Sequence, residues 1–296
     1  MLPDFLEKKI RSYYPEQIDE IVKGYTLRRK TSFRINRLKM TEEETVSFLD
    51  AKKVKYSRVG WYPDAFIIEQ EPEEDIRKWP VYENGAIYLQ SLSAMIPVLV
   101  MEPKKGENIL DMCAAPGGKT TQIASMTMDR AMITACEKNR ARAERLKFNL
   151  KRQGTGNVTV MNVDSRKLDD FFRFDKVLLD APCSGSGTFS SGYVPKEFSE
   201  ELIERSVRTQ KEMLDKAVRI TAPGGMILYS TCSILKEENE NVVKNALVKG
   251  NIELIEAKMP GMDETVCLPS DLPGAITVMP SEYMEGFFVS LLRKKE

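Results

Sequence analysis

Short apolar runs and longer amphipathic stretches alternate through the last two thirds of the chain. Residues 109–110, 131–136, 158–162, 174–179 and 226–230 are apolar runs too short for helices, which predicts strands. Residues 120–126, 139–152 and 198–222 have helical length and pattern. Gly154 is a stop for the second and Pro223-Gly224-Gly225 for the third. A helix over 236–248 and strands over 252–255, 276–279 and 286–292 follow. Strand alternating with helix predicts an α/β fold with a mostly parallel sheet. The first part reads differently. Two helices broken by Pro15 occupy 2–23, with Gly24 as a stop, and residues 32–36 alternate like a strand. Thr41 followed by three glutamates predicts a capped helix to residue 50. Strands over 54–59 and 65–69 and an acidic stretch over 71–80 complete a small α+β domain, placed at residues 1–83. Residues 84–296 form the second domain, entered through a strand at 85–88 and an apolar helix over 92–101.

Four of the predicted strands end in an acid: Asp111, Glu137, Asp164 and Asp180. In an open α/β sheet these ends share one edge, where ligands bind. The richest of them is NILDMCAAPGGKTT, residues 108–121. Its glycines let backbone approach a ligand closely, and the following helix offers free N–H groups. A phosphate-binding P-loop would need glycine where Cys113 stands, and a dinucleotide fingerprint would need three spaced glycines. A plain helix cap would not require a Cys, a Pro and two Gly together. Glu137 follows the loop by about twenty residues, the spacing of a ribose-binding acid, although it also suits a helix cap. Asp164 alone is a weaker signal.

Composition removes whole classes of chemistry. The chain has no histidine, which excludes Ser-His-Asp and Cys-His mechanisms. Its five cysteines contain no C-x-x-C pair, so neither a metal site nor a disulfide framework is expected. No apolar run approaches the ~18 residues of a membrane span, and no signal-peptide pattern opens the chain, so a cytoplasmic enzyme is expected. Net charge is zero, but residues 1–40 carry ten Lys/Arg against five Asp/Glu, and residues 41–83 reverse the balance. The basic stretch 27–39 reads either as a solvated strand face or as a phosphate contact. The basic helix at 139–152 reads as a solvated face with no RNA role.

Three segments carry a family resemblance: DMCAAPGGKT from Asp111, DAPCSGSGT from Asp180 and YSTCS from Tyr229. Together and in this order they resemble the RsmB/Sun-type RNA cytosine-5 methyltransferases, over roughly residues 30 to 293. The resemblance implies a Rossmann-like class I methyltransferase domain behind an N-terminal RNA-recognition domain. It implies S-adenosylmethionine as cofactor, held by Cys113, Ala114, Ala115, Pro116, Gly117, Gly118 and Lys119 together with Glu137, Asp164 and Asp180. Carbon 5 of cytosine is a poor nucleophile, and a thiolate adding to carbon 6 activates it. The resemblance makes Cys232 that nucleophile and Cys183 the residue that assists release. The residues alone do not order the two. Asp180, if protonated, would hydrogen-bond ring nitrogen 3. Lys119 would stabilise the thiolate or simply hold its loop. A similar Ser-Phe-Arg-x-Asn segment in the family suggests RNA contact for Arg34. Ribosomal or transfer RNA is the expected partner, with no metal, no membrane and a monomeric state. In place of the family's basic stretch and downstream Trp, residues 189–195 read FSSGYVP, and the end at Glu296 suggests that no further RNA-binding module follows. The rivals are a cofactor-binding RNA chaperone without transfer activity, a P-loop NTPase and a DNA methylase.

Overall fold

The computed structural model describes residues 2–191, 193 and 198–296, so Gly192, Val194 and Pro195 of the predicted departure at 189–195 lie outside the described residues. Four short strands, β1 (Thr31–Ile35), β2 (Tyr56–Arg58), β3 (Ala65–Ile68) and β4 (Ile87–Leu89), pair antiparallel in the order β2-β3-β1-β4. One face buries Phe33 stacked on Phe66, with Ile35, Ile68 and Ile87. The helix Glu42–Ala51 starts as its sequence predicts. Thr41 accepts from the Glu44 N–H, and Glu44 accepts from the Thr41 N–H, a reciprocal capping box.

Two features of the predicted layout change. The strand expected to lead into the second domain is β4, and it pairs with β1, so this sheet runs past residue 83 to Leu89. The helices Asp4–Tyr13 and Ile18–Thr26 do not join the small sheet's core. Their apolar stripe of Leu6, Ile10, Tyr14 and Ile21 packs on Ile203, Ile234 and Leu235 from the other half of the chain. Tyr14 adds a hydrogen bond to the Ile234 carbonyl at 3.0 Å. An amphipathic stripe must find an apolar partner, and these helices find theirs on the larger part of the molecule.

The larger sheet contains β5 (Asn108–Asp111), β6 (Met132–Cys136), β7 (Val158–Met161), β8 (Phe174–Asp180), β9 (Thr221–Thr231), β10 (Ile252–Ile255), β11 (Cys267–Leu268), β12 (Ile276–Val278) and β13 (Phe287–Lys294). Five strands run parallel in the spatial order β7-β6-β5-β8-β9. Antiparallel β13 closes against β9 and carries β12 and β10, and β11 pairs β12. This is a mixed, Rossmann-like sheet, and its parallel half carries the site. The helices Gly118–Met126, Arg140–Gln153 and Glu200–Ile220 connect the parallel strands. Strand order reverses beside β5, whose neighbours are β6 and β8. The loops leaving β5 and β8 therefore open on one crevice. Among the described residues no helix is long and apolar enough to cross a membrane.

Candidate active site

The loop after β5 is fixed from its own residues outward. Asp111 is buried and accepts hydrogen bonds from the Thr120 hydroxyl at 2.7 Å and the Cys113 N–H at 3.3 Å. Burial lifts its carboxyl to about 6. Gly117 has φ +110°, and a Cβ there would stand 3.0 Å from the Leu146 methyl, so glycine fits both the backbone and the gap. The helix Arg140–Gln153 holds the loop from outside: Arg142 donates to the Ala115 carbonyl and Asn149 to the Pro116 carbonyl, each at 2.8 Å.

Arg34 holds the same loop from the other side. It is fully buried and donates to Gln90 Oε1 (2.8 Å), the Gly118 carbonyl (2.9 Å) and Thr121 Oγ1 (2.6 Å). Its guanidinium lies 5.1 Å from the Tyr88 ring centroid. The expectation that Arg34 touches RNA phosphate is corrected: the guanidinium is buried, with Nε and Nη2 donating to protein acceptors and Nη1 buried without a hydrogen-bond partner.

The ends of β8 and β9 bring together the remaining predicted groups. Asp180 accepts from Lys119 Nζ at 2.7 Å and from the Ser230 hydroxyl at 2.8 Å. Both Asp180 oxygens are therefore engaged by protein donors. Burial alone would pull the Lys119 ammonium down, but the Asp180 charge and hydrogen bond outweigh it, so the net shift is upward. Lys119 also interacts electrostatically with Cys232. The sulfurs of Cys183 and Cys232 are 3.0 Å apart. That hydrogen bond, with burial, pushes the Cys183 thiol well up.

The two cysteine loops are stitched to each other. Ser186 and Ser233 share a hydroxyl–hydroxyl bond at 2.7 Å, and the Gly187 N–H donates to the Cys232 carbonyl at 3.0 Å. A Cβ on Gly187 would stand 1.9 Å from the Gly286 carbonyl oxygen, so the Gly-Ser-Gly stretch and the closing Gly-Phe-Phe segment are in backbone contact. Two supports were not predicted. Glu238 is buried and accepts from the Ser184 N–H at 2.7 Å and the Ser184 hydroxyl at 2.6 Å, and burial raises its carboxyl. Arg29 donates to the carbonyls of Gly187, Thr188 and Phe189. In sequence Glu238 is one acid in the helix predicted over 236–248, and Arg29 one base in a basic run. Nothing local set them apart.

A cavity of about 200 Å³ joins these parts. Cys113 and Ala115 line it, Glu137 and Asp164 stand on one side, and Asp180, Cys183 and Cys232 on the other. Glu137 lines the cavity and accepts at 2.8 Å from the N–H of Asn139, the residue whose side chain caps the next helix. Asp164 is held by Arg166, whose hydrogen bond depresses its carboxyl pKa. Ala114, Pro116, Gly118 and Lys119 line an adjoining cavity of about 540 Å³ that shares Cys113, Ala115 and Asp180 with the first. Gly117 lines neither and acts through backbone shape.

Residues 98–293 match the family described as 16S rRNA methyltransferase RsmB/F, and residues 2–92 match the N-terminal domain of 16S rRNA methyltransferase RsmF. Ribosomal RNA small subunit methyltransferase F of Vibrio parahaemolyticus is 31% identical over 302 residues, covering 99% of this chain and 63% of the relative. The human 28S rRNA (cytosine(4447)-C(5))-methyltransferase is 36% identical over 262 residues, covering 85% of this chain and 32% of the relative. The chain thus spans less than two thirds of these curated relatives. A methyltransferase homolog from Pyrococcus horikoshii superposes with TM-score 0.84 at 30% identity, covering 99% of this chain and all of the other. NSun6 from the same organism shares the fold, with TM-score 0.85 at 24% identity over 99% and 98% of the two chains. With both halves matched and the three motif loops converging on one cavity, the chain belongs to the RsmB/F family of 16S rRNA methyltransferases.

Proposed function

We propose that this chain methylates carbon 5 of cytosine in RNA, with S-adenosylmethionine as methyl donor. The observation that carries the reading is the pair of thiols, 3.0 Å apart, on the cavity that Glu137 and Asp164 also line. Ribosomal RNA is the favoured substrate, since the curated relatives are named as rRNA methyltransferases. The cofactor assignment draws support from the P. horikoshii NSun6 structure, which contains the S-adenosylmethionine analogue SFG.

The residues present fit such a cofactor. Glu137 is a nearly buried acid on the cavity wall, suited to ribose hydroxyls. Asp164 stands beside it for the adenine end, and Asp180 lies towards the thiols for the methionine end. When bound, S-adenosylmethionine supplies an electrophilic methyl group. The protein's own residues prepare the acceptor. Cys232, as thiolate, donates an electron pair to carbon 6 of cytosine, and the carbon 5–carbon 6 π electrons move to make carbon 5 nucleophilic. After methylation a base takes the carbon 5 proton, and the C–H electron pair returns to the ring and expels Cys232 as a thiolate. The hydrogen bond to Cys232 and burial both push the Cys183 thiol up. The family resemblance makes Cys232 the attacking sulfur and Cys183 the residue that assists release. Lys119 stabilises the negative charge on Cys232, and Asp180 holds Lys119 in place.

Methyl transfer from labelled S-adenosylmethionine to ribosomal RNA, with nucleoside analysis of the product, tests this reading. The wild-type chain is expected to yield 5-methylcytidine, and Cys232→Ala to lose activity by about 10³-fold or more. A Cys232→Ala chain that methylates normally would contradict it.

A further inference from the structure

The cavity of about 540 Å³ leads away from the cysteines, between the small sheet and the helix Arg140–Gln153. Pro116, Gly118 and Lys119 line the part nearest the thiols. Tyr82 and Tyr88 contribute on the small-sheet side, and Arg145, Phe148 and Arg152 on the helix side. Phe148 is 63% exposed. A single exposed phenylalanine needs no explanation, but this one belongs to a layered set. The Arg152 guanidinium lies 4.3 Å from the Tyr82 ring centroid and 5.9 Å from that of Phe148. Its Nε is buried without a hydrogen-bond partner. Arg145 adds exposed positive charge, whereas Arg77, also exposed, is paired with Glu73. The acids in this lining are Asp111, buried against Thr120, and Asp180, paired with Lys119. The groove is therefore cationic and presents an aromatic ring to solvent.

We propose that this groove is a track for single-stranded RNA beside the target cytosine: a neighbouring base stacks on Phe148 and Arg152, and a phosphate meets Arg145. The proposal rests on the RNA methyltransferase reading and extends it to the form of the substrate. The Arg152 guanidinium layered over the Phe148 and Tyr82 rings forms a stacking platform in a groove, which serves a base whose face is free. In a duplex those faces are occupied by neighbouring base pairs. The location fits the chemistry. The helix that carries Phe148 is bonded to the β5 loop through Asn149 and Pro116, and the groove ends at Lys119 and Asp180. A strand lying in it would deliver its next nucleotide to Cys232. The expectation that this basic helix is only a solvated face gives way to a binding role.

The test is fluorescence anisotropy of the full chain with a short cytosine-containing single-stranded RNA, compared with the same RNA in a duplex. Phe148→Ala is expected to weaken single-strand binding about fivefold or more. Phe148→Trp is expected to keep or tighten it, and thermal melting should be unchanged for this exposed site. Wild-type-like binding by Phe148→Ala, or an equal loss on duplex, would overturn the groove while leaving the methyltransferase reading intact. A wild-type chain that binds no RNA would overturn both.

Discussion

Two basic stretches of this chain look alike in sequence and do opposite things. In residues 27–39, Arg29 bonds loop carbonyls beyond Cys183, Arg34 bonds Gly118, Thr121 and Gln90, and Arg37 pairs with Asp64. Lys30 pairs with Glu69, and Lys39 bonds the carbonyls of Asn84 and Arg152. Arg29, Arg34 and Lys39 tie the small sheet to the larger part of the molecule, while Lys30 and Arg37 pair within the small sheet's own domain. In the helix Arg140–Gln153, Arg142 and Asn149 secure the β5 loop while Arg145 and Phe148 face outward into a groove. The difference lies in what covers each element. Strand β1 is covered on both faces, whereas the helix is covered on one. Positive charge along a sequence reports a binding surface only where nothing in the fold already neutralises it.

The largest effect expected from this contrast is in Arg34→Ala. Three acceptors inside the molecule lose a charged donor, so stability should fall by about 3 kcal/mol in denaturant unfolding, while RNA affinity of the folded protein stays near wild type. A variant that keeps its stability but loses RNA affinity would return Arg34 to the surface role that its motif suggested.

Next comes the charge buried at the head of the β5 loop. Asp111 has a folded pKa of about 6 against an unsatisfied-by-structure value of 3.8. The raised value means that, between about pH 4 and pH 6, the unfolded chain releases this proton first, so stability falls as pH rises. Relative to Asp111→Asn, the wild type should lose about 3 kcal/mol across that window, from 1.36 kcal/mol per pH unit. Parallel pH profiles for the two proteins would show that Asp111 is compensated better than its burial suggests.

The smallest effect belongs to the outward-facing side. Arg145→Ala should change stability by less than about 0.5 kcal/mol. It should reduce the salt dependence of RNA binding by about one phosphate contact, seen as a shallower slope of log affinity against log salt. An unchanged slope would remove Arg145 from the RNA track.

What was legible in the sequence follows the same division. The strand-end acids and the three motif loops could be read because their chemistry sits in adjacent residues: Gly117 needs its positive φ, and Cys183 and Cys232 stand in loops that repeat the same strand-end placement. The alternation of β1 was also legible, but its meaning was not. Ser32, Arg34 and Asn36 form a polar face that reads as solvated, yet all three are buried. Asn36 donates to the carbonyls of Gly85 and Gln153, so this face is the seam between the two sheets' surroundings. The partners of Arg29, Arg34 and Glu238 lie far away in sequence, and no periodicity in the chain encodes such meetings. For the same reason β4 and the first two helices were assigned to the wrong neighbours.

The most direct test of the account is the identity of the sulfur bonded to RNA. With S-adenosylmethionine and ribosomal RNA, the Cys183→Ala chain should accumulate a denaturant-resistant protein–RNA adduct, because release loses its acid–base partner. Mass spectrometry of the nuclease-trimmed adduct should place a methylated cytidine on the peptide containing Cys232. An adduct formed through Cys183 in the wild type would contradict the assignment of Cys232 as nucleophile, and no adduct in Cys183→Ala with turnover at the wild-type rate would contradict the role of Cys183 in release.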